Sequence, residues 1–198
     1  MNDFRFKLVP ALVLISGISF AANIAYVPKV APGNTVTAGA GKQWPTTRFI
    51  VDPSGNCISD NLTGLMWVRN ASLLGAATWG SAATSGTAQY KIDQMNSNPA
   101  SVGYQLCGYS DWRLPNINEL LSLINYAATP LVATTPAAWL QESAGFTNVQ
   151  TNNYYWTSTL YVKTLGNTTV WTVSFGDGST TGDQNISTNY VWPVRGGK

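Results

Sequence analysis

Three segments rich in aromatic and β-branched residues dominate the last third of this chain. They read YYWTSTLYV from Tyr154 to Val162, VWTVSF from Val170 to Phe175, and YVWPV from Tyr190 to Val194. Such runs, separated by Gly-, Asn- and Asp-rich stretches, are typical of β-strands. Gly176-Asp177-Gly178 predicts a turn between strands. We therefore expect the C-terminal part of the chain to form a sheet.

The first half of the chain also carries strand signals. Phe49-Ile50-Val51 is followed by the turn sequence DPSGN at 52–56 and then by Cys57-Ile58-Ser59-Asp60, which predicts a hairpin. A second turn at 61–64 leads into the apolar run Leu65-Met66-Trp67-Val68.

Helical periodicity occurs between these two groups of strands. From Thr78 to Asn96 the apolar residues fit a helical period imperfectly, and Gly80 and Gly86 interrupt it. A second, short apolar stripe repeats at i, i+3, i+4 and i+7 between Ile117 and Ile124, which predicts a helix. A further short helix is possible after Pro136.

The helix that begins near Ile117 has a clear start signal. Asn116 stands at the N-cap position, and Glu119 follows three residues later, so the two side chains can form a capping box. Pro115 prevents the helix from extending backwards.

Residues 1–21 have the pattern of a secretory signal. Arg5 and Lys7 precede an apolar run, and small residues stand before a cleavage point after Ala21. The alternative is a retained membrane anchor, but the run is shorter than the ~20 residues that span a bilayer and contains Pro10. We therefore expect export to the periplasm, cell surface or extracellular space, without a membrane span after cleavage.

An extended arm or linker is expected at 22–43, where Ala, Gly, Thr and Pro are abundant. It reads either as a flexible tether or as a strand that pairs with another element. The compact domain then runs from about Trp44 to the end of the chain, residues 44–198.

The charge pattern and the missing histidine exclude several functions. Charged residues make up 10% of the chain, and no basic run follows the predicted signal, so nucleic acid is not an expected partner. The chain has no histidine, which rules out Ser-His-Asp and Cys-His catalysis and any histidine metal site. No glycine-rich phosphate loop is present. We expect no cofactor and no metal.

The two cysteines, Cys57 and Cys107, most simply form a disulfide in an oxidising compartment. The alternative is two separate buried thiols.

Five blocks of sequence follow one another in the order found in a known family. They are DNLTGLMW (60–67), CGYSDWRLPNINELLSLI (107–124), YYWTST (154–159), VSFGDG (173–178) and YVWPVRGG (190–197). Over about 44–197 they resemble the Lcl C-terminal domain family of exported bacterial proteins. The resemblance implies an α+β, C-type-lectin-like fold, with two helices packed on twisted antiparallel sheets. The family takes its name from a surface adhesin. The chain departs from the family pattern in Cys57, because family members often place the earlier cysteines after the GLMW block.

The charged and aromatic residues around 107–124 are interpreted as structural. Arg113 or Arg195 can pair with Glu119 or Asp111 and tie the helix start to the sheet. The alternative, an acid/base pair of Asp111 and Glu119, needs a cleft and opposed pKa values. The residues assigned to this structural role are Trp67, Asp111, Trp112, Arg113, Asn116, Glu119, Trp156 and Arg195.

Late aromatic and polar residues are the candidates for ligand binding. Sugars stack on Trp and Tyr rings and hydrogen-bond to Asn, Asp and Thr, although core packing is the competing explanation for each ring. The candidates are Tyr161, Lys163, Trp171, Asp177, Asp183, Asn185 and Tyr190, in loops expected at about 161–169 and 176–190. Asp177, Asp183 and Asn185 also offer oxygen ligands for calcium, but we interpret them as a solvated polar loop.

These features together predict an exported, non-enzymatic adhesion or recognition domain that binds a glycan or a surface protein. The alternative is a structural subunit that assembles with itself or with an envelope component through the arm 22–43, which allows a homo-oligomer. A third hypothesis is an enzyme that relies on carboxylates.

Overall fold

The computed structural model describes residues 25–26, 39–40, 45, 47–126, 135–161 and 168–196. The predicted signal at 1–21, the arm apart from 25–26 and 39–40, and the expected domain start at Trp44 lie outside these residues.

The described part of the chain is a mixed α+β structure. Its strands are β1 (Ala25–Tyr26), β2 (Gly39–Ala40), β3 (Phe49–Val51), β4 (Cys57–Asp60), β5 (Leu65–Val68), β6 (Ala76–Thr78), β7 (Tyr154–Leu160), β8 (Thr169–Ser174), β9 (Thr180–Gln184), β10 (Thr188–Tyr190) and β11 (Val194–Gly196). Its helices are α1 (Ala88–Ser97), α2 (Ile117–Leu121) and α3 (Pro136–Ser143), with a 3₁₀ turn at Leu106–Gly108. None of the helices in these ranges is long and apolar enough to cross a membrane.

The strands form two main sheets and one small one. The four-stranded sheet has the order β11-β5-β4-β3 and is antiparallel throughout, which confirms the predicted first hairpin. The five-stranded sheet has the order β6-β10-β7-β8-β9. There β10 pairs parallel to β7, at Tyr190 and Tyr155, so the expectation of purely antiparallel sheets is wrong. β1 and β2 pair only with each other.

Trp192 connects the two main sheets in the core. Its ring lies 5.6 Å from that of Trp67 on β5 and 5.2 Å from that of Tyr155 on β7. It also contacts Phe146 and Phe175 edge-on. All these rings are buried, and such edge-on pairs add a fraction of a kcal/mol to about 1.5 kcal/mol each beyond area burial.

The segment 190–194 is not the single strand that its composition predicts. β10 ends at Tyr190 and belongs to the five-stranded sheet, whereas β11 begins at Val194 in the four-stranded one. Pro193 lies between them and has no N–H to donate to a ladder. The chain therefore changes sheets at 191–193, and this crossing places Trp192 between them.

The first helix is shorter than its apolar pattern suggests. Ala76–Thr78 is strand β6, and α1 begins only at Ala88, after the N-cap Thr87. The Thr87 hydroxyl accepts the N–H of Tyr90 and donates to the carbonyl of Ser81, which holds the preceding turn. Gly86 adopts a left-handed φ of 81° that breaks a helix.

The second helix begins where predicted. Asn116 and Glu119 form the capping box, each side chain accepting the other's backbone N–H, at 2.9 and 2.8 Å. The helix ends at Leu121, earlier than the apolar stripe, because the hydroxyl of Ser122 donates to the carbonyl of Glu119 at the start of a turn. Ile124 is nevertheless buried.

Candidate functional site

A polar groove lies where β7 begins and β8 ends, beside the N-terminus of α3; we call it the β7–β8 groove. Its volume is about 490 Å³. It is lined by Thr135, Thr151, Asn152, Asn153, Tyr154, Ser174, Gly176 and Asp177. The described lining residues thus combine one aromatic ring and one carboxylate with hydroxyl and amide groups, and none of them is basic.

Close backbone packing shapes this groove. A Cβ atom placed on Gly176 would lie 2.3 Å from the carbonyl oxygen of Thr151, so only glycine allows the 151–153 turn to approach β8 so closely. The hydroxyl of Ser174 accepts the N–H of Gly176 at 3.2 Å. The 151–153 turn and the chain after β8 are therefore in close backbone contact on this side of the groove.

Asp177 supplies the negative charge of the groove. One carboxylate oxygen accepts both the N–H and the hydroxyl of Ser179, at 3.0 and 2.8 Å. These bonds, with a smaller contribution from the Ser174 hydroxyl, lower the pKa of Asp177 below its ordinary value. The exposed carboxylate is thus ionised at neutral pH and retains a second oxygen as an acceptor.

The asparagines and the tyrosine of the groove have hydrogen-bonding capacity to spare. Asn152 and Asn153 are exposed, and Tyr154 is half-buried at the start of β7. Within the described ranges, no residue hydrogen-bonds to the side-chain amide of Asn153 or to the hydroxyl of Tyr154. These asparagines are not among the residues predicted to bind a ligand, although they stand directly before the strand YYWTST.

Tyr161 and Trp171, two predicted ligand-binding residues, meet at the opposite end of β7 and β8. Their ring centroids are 4.5 Å apart, and the rings are nearly perpendicular. Gly182 pairs with Trp171 across β8 and β9, and a Cβ atom there would lie 2.7 Å from the Tyr161 ring. Because Trp171 stands three residues before Ser174 on β8, this aromatic pair lies roughly 10–15 Å from the β7–β8 groove.

The remaining predicted ligand-binding residues are dispersed. Asp183, near the end of β9, accepts the side-chain amide of the buried Asn189 at 2.8 Å, far along the strand from Asp177. Asn185 follows β9, and its carbonyl accepts the N–H of Trp79. Tyr190 packs against the buried Tyr155, and Lys163 lies outside the described residues.

The prediction of one loop over 176–190 is therefore wrong, since β9 and β10 occupy most of it. Asp177 alone of the predicted binding residues lines the β7–β8 groove.

The charged residues of 107–124 form two separate ion pairs with arginines. Arg113 binds Glu119 through both guanidinium nitrogens, at 2.7 and 2.8 Å, and also donates to the carbonyl of Gly196. The Arg113 backbone pairs with Val194 of β11 through two hydrogen bonds. Burial alone would raise the pKa of Glu119, but hydrogen bonds from Arg113 and the Asn116 N–H outweigh it and lower that pKa.

The second pair joins Arg195 to Asp111. The guanidinium binds both carboxylate oxygens, at 2.6 and 3.1 Å, and lies 3.5 Å above the ring of Tyr109. The hydrogen bond from Arg195 lowers the pKa of Asp111 below its ordinary value. The Arg195–Asp111 pair therefore ties the segment before α2 to β11, the edge strand of the four-stranded sheet, and the Arg113–Glu119 pair ties the same segment to α2.

The predicted disulfide between Cys57 and Cys107 is confirmed. It joins β4 to the 3₁₀ turn before α2, across a sequence separation of 50 residues. An oxygen of Asp52 and the two sulfur atoms all lie within 4.8 Å of one another. Since the sulfurs are bonded to each other, they are not available as thiolate metal ligands.

The three tryptophans that were predicted to have a structural role are all buried: Trp67, Trp112 and Trp156. The indole N–H of Trp156 donates to the carbonyl of Ala77 at 2.7 Å, and that of Trp112 donates to the carbonyl of Leu106. These two hydrogen bonds anchor β6 and the turn before α2 to their neighbours.

The model of the Lcl C-terminal domain matches residues 56–195. The chain belongs to the Lcl C-terminal domain family. No curated protein matches it. Within the Lcl C-terminal domain lie the disulfide, both arginine–carboxylate pairs of the 107–124 segment and the complete groove. Arg48 and β3 precede the matched residues, yet β3 pairs with β4 and Arg48 binds Asp60, so the folded unit begins before the family match.

Proposed function

We propose that this chain is an exported recognition domain without enzymatic activity, which binds a glycan or a protein partner at its surface. The observation that carries the proposal is the β7–β8 groove, where an aromatic ring, the exposed amides of Asn152 and Asn153 and an ionised carboxylate converge. Recognition sites use such convergent polar groups beside an aromatic surface to orient a ligand.

The proposal includes a C-type-lectin-like fold. Two sheets joined through Trp192, and α2 packed against β7 and β8, are compatible with it. The Arg113-Leu114-Pro115 segment before α2 is also joined to the late strand β11, through two backbone hydrogen bonds between Arg113 and Val194.

Export is supported by the signal pattern at 1–21 and by the disulfide, because disulfides persist mainly in oxidising compartments. We infer a periplasmic, cell-surface or extracellular location for the mature chain.

The state of the two candidate catalytic carboxylates supports a non-enzymatic role. Asp111 and Glu119 each bind a different arginine, and the pKa of both is lowered. A general acid/base pair needs one carboxyl group with a raised pKa. Neither carboxylate lines the β7–β8 groove.

A glycan array and a pull-down with mature protein test the proposal. Wild type is compared with an Asn152→Ala, Asn153→Ala double variant and with Asn118→Ala, an exposed asparagine on α2 away from the groove. We expect a ligand that wild type and Asn118→Ala bind and that the double variant binds weakly. The proposal fails if wild type binds nothing in either assay, or if the double variant binds as wild type does.

The alternative function is a structural subunit that assembles through the arm 22–43. Within the four described residues of that arm, β1 and β2 pair with each other and add no strand to the two main sheets, which favours an arm that can join another subunit. Deleting 22–43 distinguishes the functions. After the deletion, a recognition domain still binds its ligand and shows an unchanged oligomeric state in light scattering. An assembly subunit instead becomes monomeric.

A further inference from the structure

The basic side chains in the described part of the chain are already engaged with protein groups. Lys91 donates to the carbonyls of Leu74 and Ala76, at 2.7 and 2.9 Å. Arg69 donates to the carbonyls of Gly145 and Gly55, at 2.8 and 3.1 Å. These two cations keep their charge, but their N–H groups are directed at backbone carbonyls.

The other three cations are held by carboxylates. Arg48 binds Asp60, Arg113 binds Glu119, and Arg195 binds Asp111. A polyanion such as a sulfated polysaccharide is normally bound through several uncompensated Lys or Arg side chains. The described surface offers no such cluster.

The β7–β8 groove has the opposite character. Among its described lining residues the one acid is Asp177, whose carboxylate would repel a sulfate, phosphate or carboxylate group. Asn152 and Asn153 present amides with both donors and acceptors, which matches a ligand whose hydroxyl groups also donate and accept. Tyr154 adds a ring on which the C–H face of a sugar can stack.

We infer that the β7–β8 groove binds a neutral polyhydroxylated ligand, a saccharide without acidic groups. This inference rests on the proposed recognition function and specifies the ligand class of the same site. Asp177 and the two asparagines bind the hydroxyl groups, and Tyr154 packs against the sugar ring. The free oxygen of Asp177 accepts from a hydroxyl, which forms a charge-assisted hydrogen bond.

Binding in this groove does not need calcium. Calcium sites use six to eight oxygen ligands, usually including several carboxylates. The groove lining contributes only the Asp177 carboxylate, which already accepts twice from Ser179. The saccharide is therefore held by direct hydrogen bonds.

The experiment compares matched neutral and acidic polysaccharides on full-length mature protein. The probes are dextran, laminarin and mannan, with dextran sulfate and carboxymethyl-dextran as the charged counterparts. Binding is measured by biolayer interferometry for wild type, Asn153→Ala and Asp177→Asn. Asp93→Asn, an exposed acid on α1 outside the groove, is the matched control for loss of charge.

We expect wild type to bind at least one neutral polysaccharide. Asn153→Ala and Asp177→Asn should each weaken this binding by about tenfold, whereas Asp93→Asn should leave it unchanged. EDTA should have no effect, and raising NaCl from about 50 mM to about 500 mM should change the affinity less than twofold, because the ligand is neutral.

Three patterns of binding overturn the inference. The first is binding of the acidic polysaccharides alone with steep salt dependence, and the second is neutral binding that neither groove variant weakens. The third is binding that EDTA abolishes and calcium restores. All three are compatible with glycan recognition. The first rejects the ligand class, the second rejects the site, and the third rejects binding without calcium. Absence of binding to every probe also overturns it, and the separate pull-down then decides whether protein recognition survives.

Discussion

The Glu119 carboxylate accepts hydrogen bonds from two guanidinium nitrogens of Arg113 and from the backbone N–H of Asn116. One side chain thus caps α2 and connects its first turn to the segment paired with β11. The two partners differ in exposure, since the Arg113 side chain is 40% exposed and that of Glu119 is 16% exposed.

That difference predicts unequal effects of mutation. Glu119→Ala removes the cap and the ion pair together and should lower the free energy of unfolding by about 2 kcal/mol. Arg113→Ala should cost about 1 kcal/mol, because solvent screens the exposed guanidinium. Urea denaturation measures both changes. Neither variant should weaken ligand binding by the folded protein, and abolished binding with unchanged stability would identify this segment as the site.

The lowered carboxylate pKa values predict how stability depends on pH. A carboxyl group whose pKa is lower in the folded than in the unfolded chain contributes stability above its unfolded pKa. That stability is lost as the pH falls through the folded pKa. For Glu119 and Asp111, with ordinary values of 4.5 and 3.8, the loss begins below about pH 5.

Because the chain has no histidine, its melting temperature should stay nearly constant from about pH 5.5 to pH 8 and fall below that range. Glu119→Gln should reduce the acid slope relative to wild type. Calorimetry across this pH series checks both expectations. A change in melting temperature centred near pH 6.5 would contradict them.

Local signals in the sequence were sufficient for the elements whose causes are local. The capping box of Asn116 and Glu119 depends on a three-residue spacing, and the hairpin of β3 and β4 depends on one turn sequence. Both were predicted correctly. The disulfide was predicted from there being two cysteines in a chain expected to be exported.

Elements that depend on tertiary contacts were not predictable in this way. The short polar strand β9 has little strand propensity and exists because it pairs with β8 from Val173 to Thr169. The break at Pro193 is visible in the sequence, but its consequence, a change of sheet that buries Trp192, is not. The β7–β8 groove escaped prediction for the same reason, since Asn153 and Asp177 are brought together only by the pairing of Tyr154 with Ser174.

A buried ion pair gives a second stability test. Arg48 binds both oxygens of Asp60, and their side chains are 4% and 0% exposed. Asp60→Ala strands a buried guanidinium and should lower the free energy of unfolding by about 3–5 kcal/mol. Arg48→Met combined with Asp60→Leu should be less harmful than Asp60→Ala alone, because no charge is then left buried. Thermal unfolding of the single and double variants decides this, and a double variant less stable than the single one would contradict it.

The disulfide predicts a further loss and a rate effect. Replacing Cys57 and Cys107 by alanine should cost about 4 kcal/mol, from the entropy of a 50-residue loop. Asp52 lies within 4.8 Å of both sulfurs, and its negative charge opposes attack by a thiolate. Asp52→Asn should therefore speed reduction by dithiothreitol about threefold to tenfold. The rate is measured by alkylating the freed thiols at intervals and analysing the products by mass spectrometry. Asp93→Asn is the control, and equal rates for the two variants would remove the role given to Asp52.

Two glycines distinguish the β7–β8 groove from the aromatic pair at the other end of the same strands. In Gly176→Ala the new Cβ meets the Thr151 carbonyl at 2.3 Å, so the 151–153 turn must move and the groove must change shape. In Gly182→Ala the new Cβ meets the ring of Tyr161 at 2.7 Å and displaces it from Trp171. Overpacking of this kind costs about 1–3 kcal/mol, so both variants should fold with reduced stability.

We expect Gly176→Ala to abolish saccharide binding at a temperature where it remains folded by circular dichroism. Gly182→Ala should change tryptophan fluorescence and keep wild-type affinity. The reverse result would place the ligand on Tyr161 and Trp171, because the two substitutions add the same methyl group at sites roughly 15 Å apart.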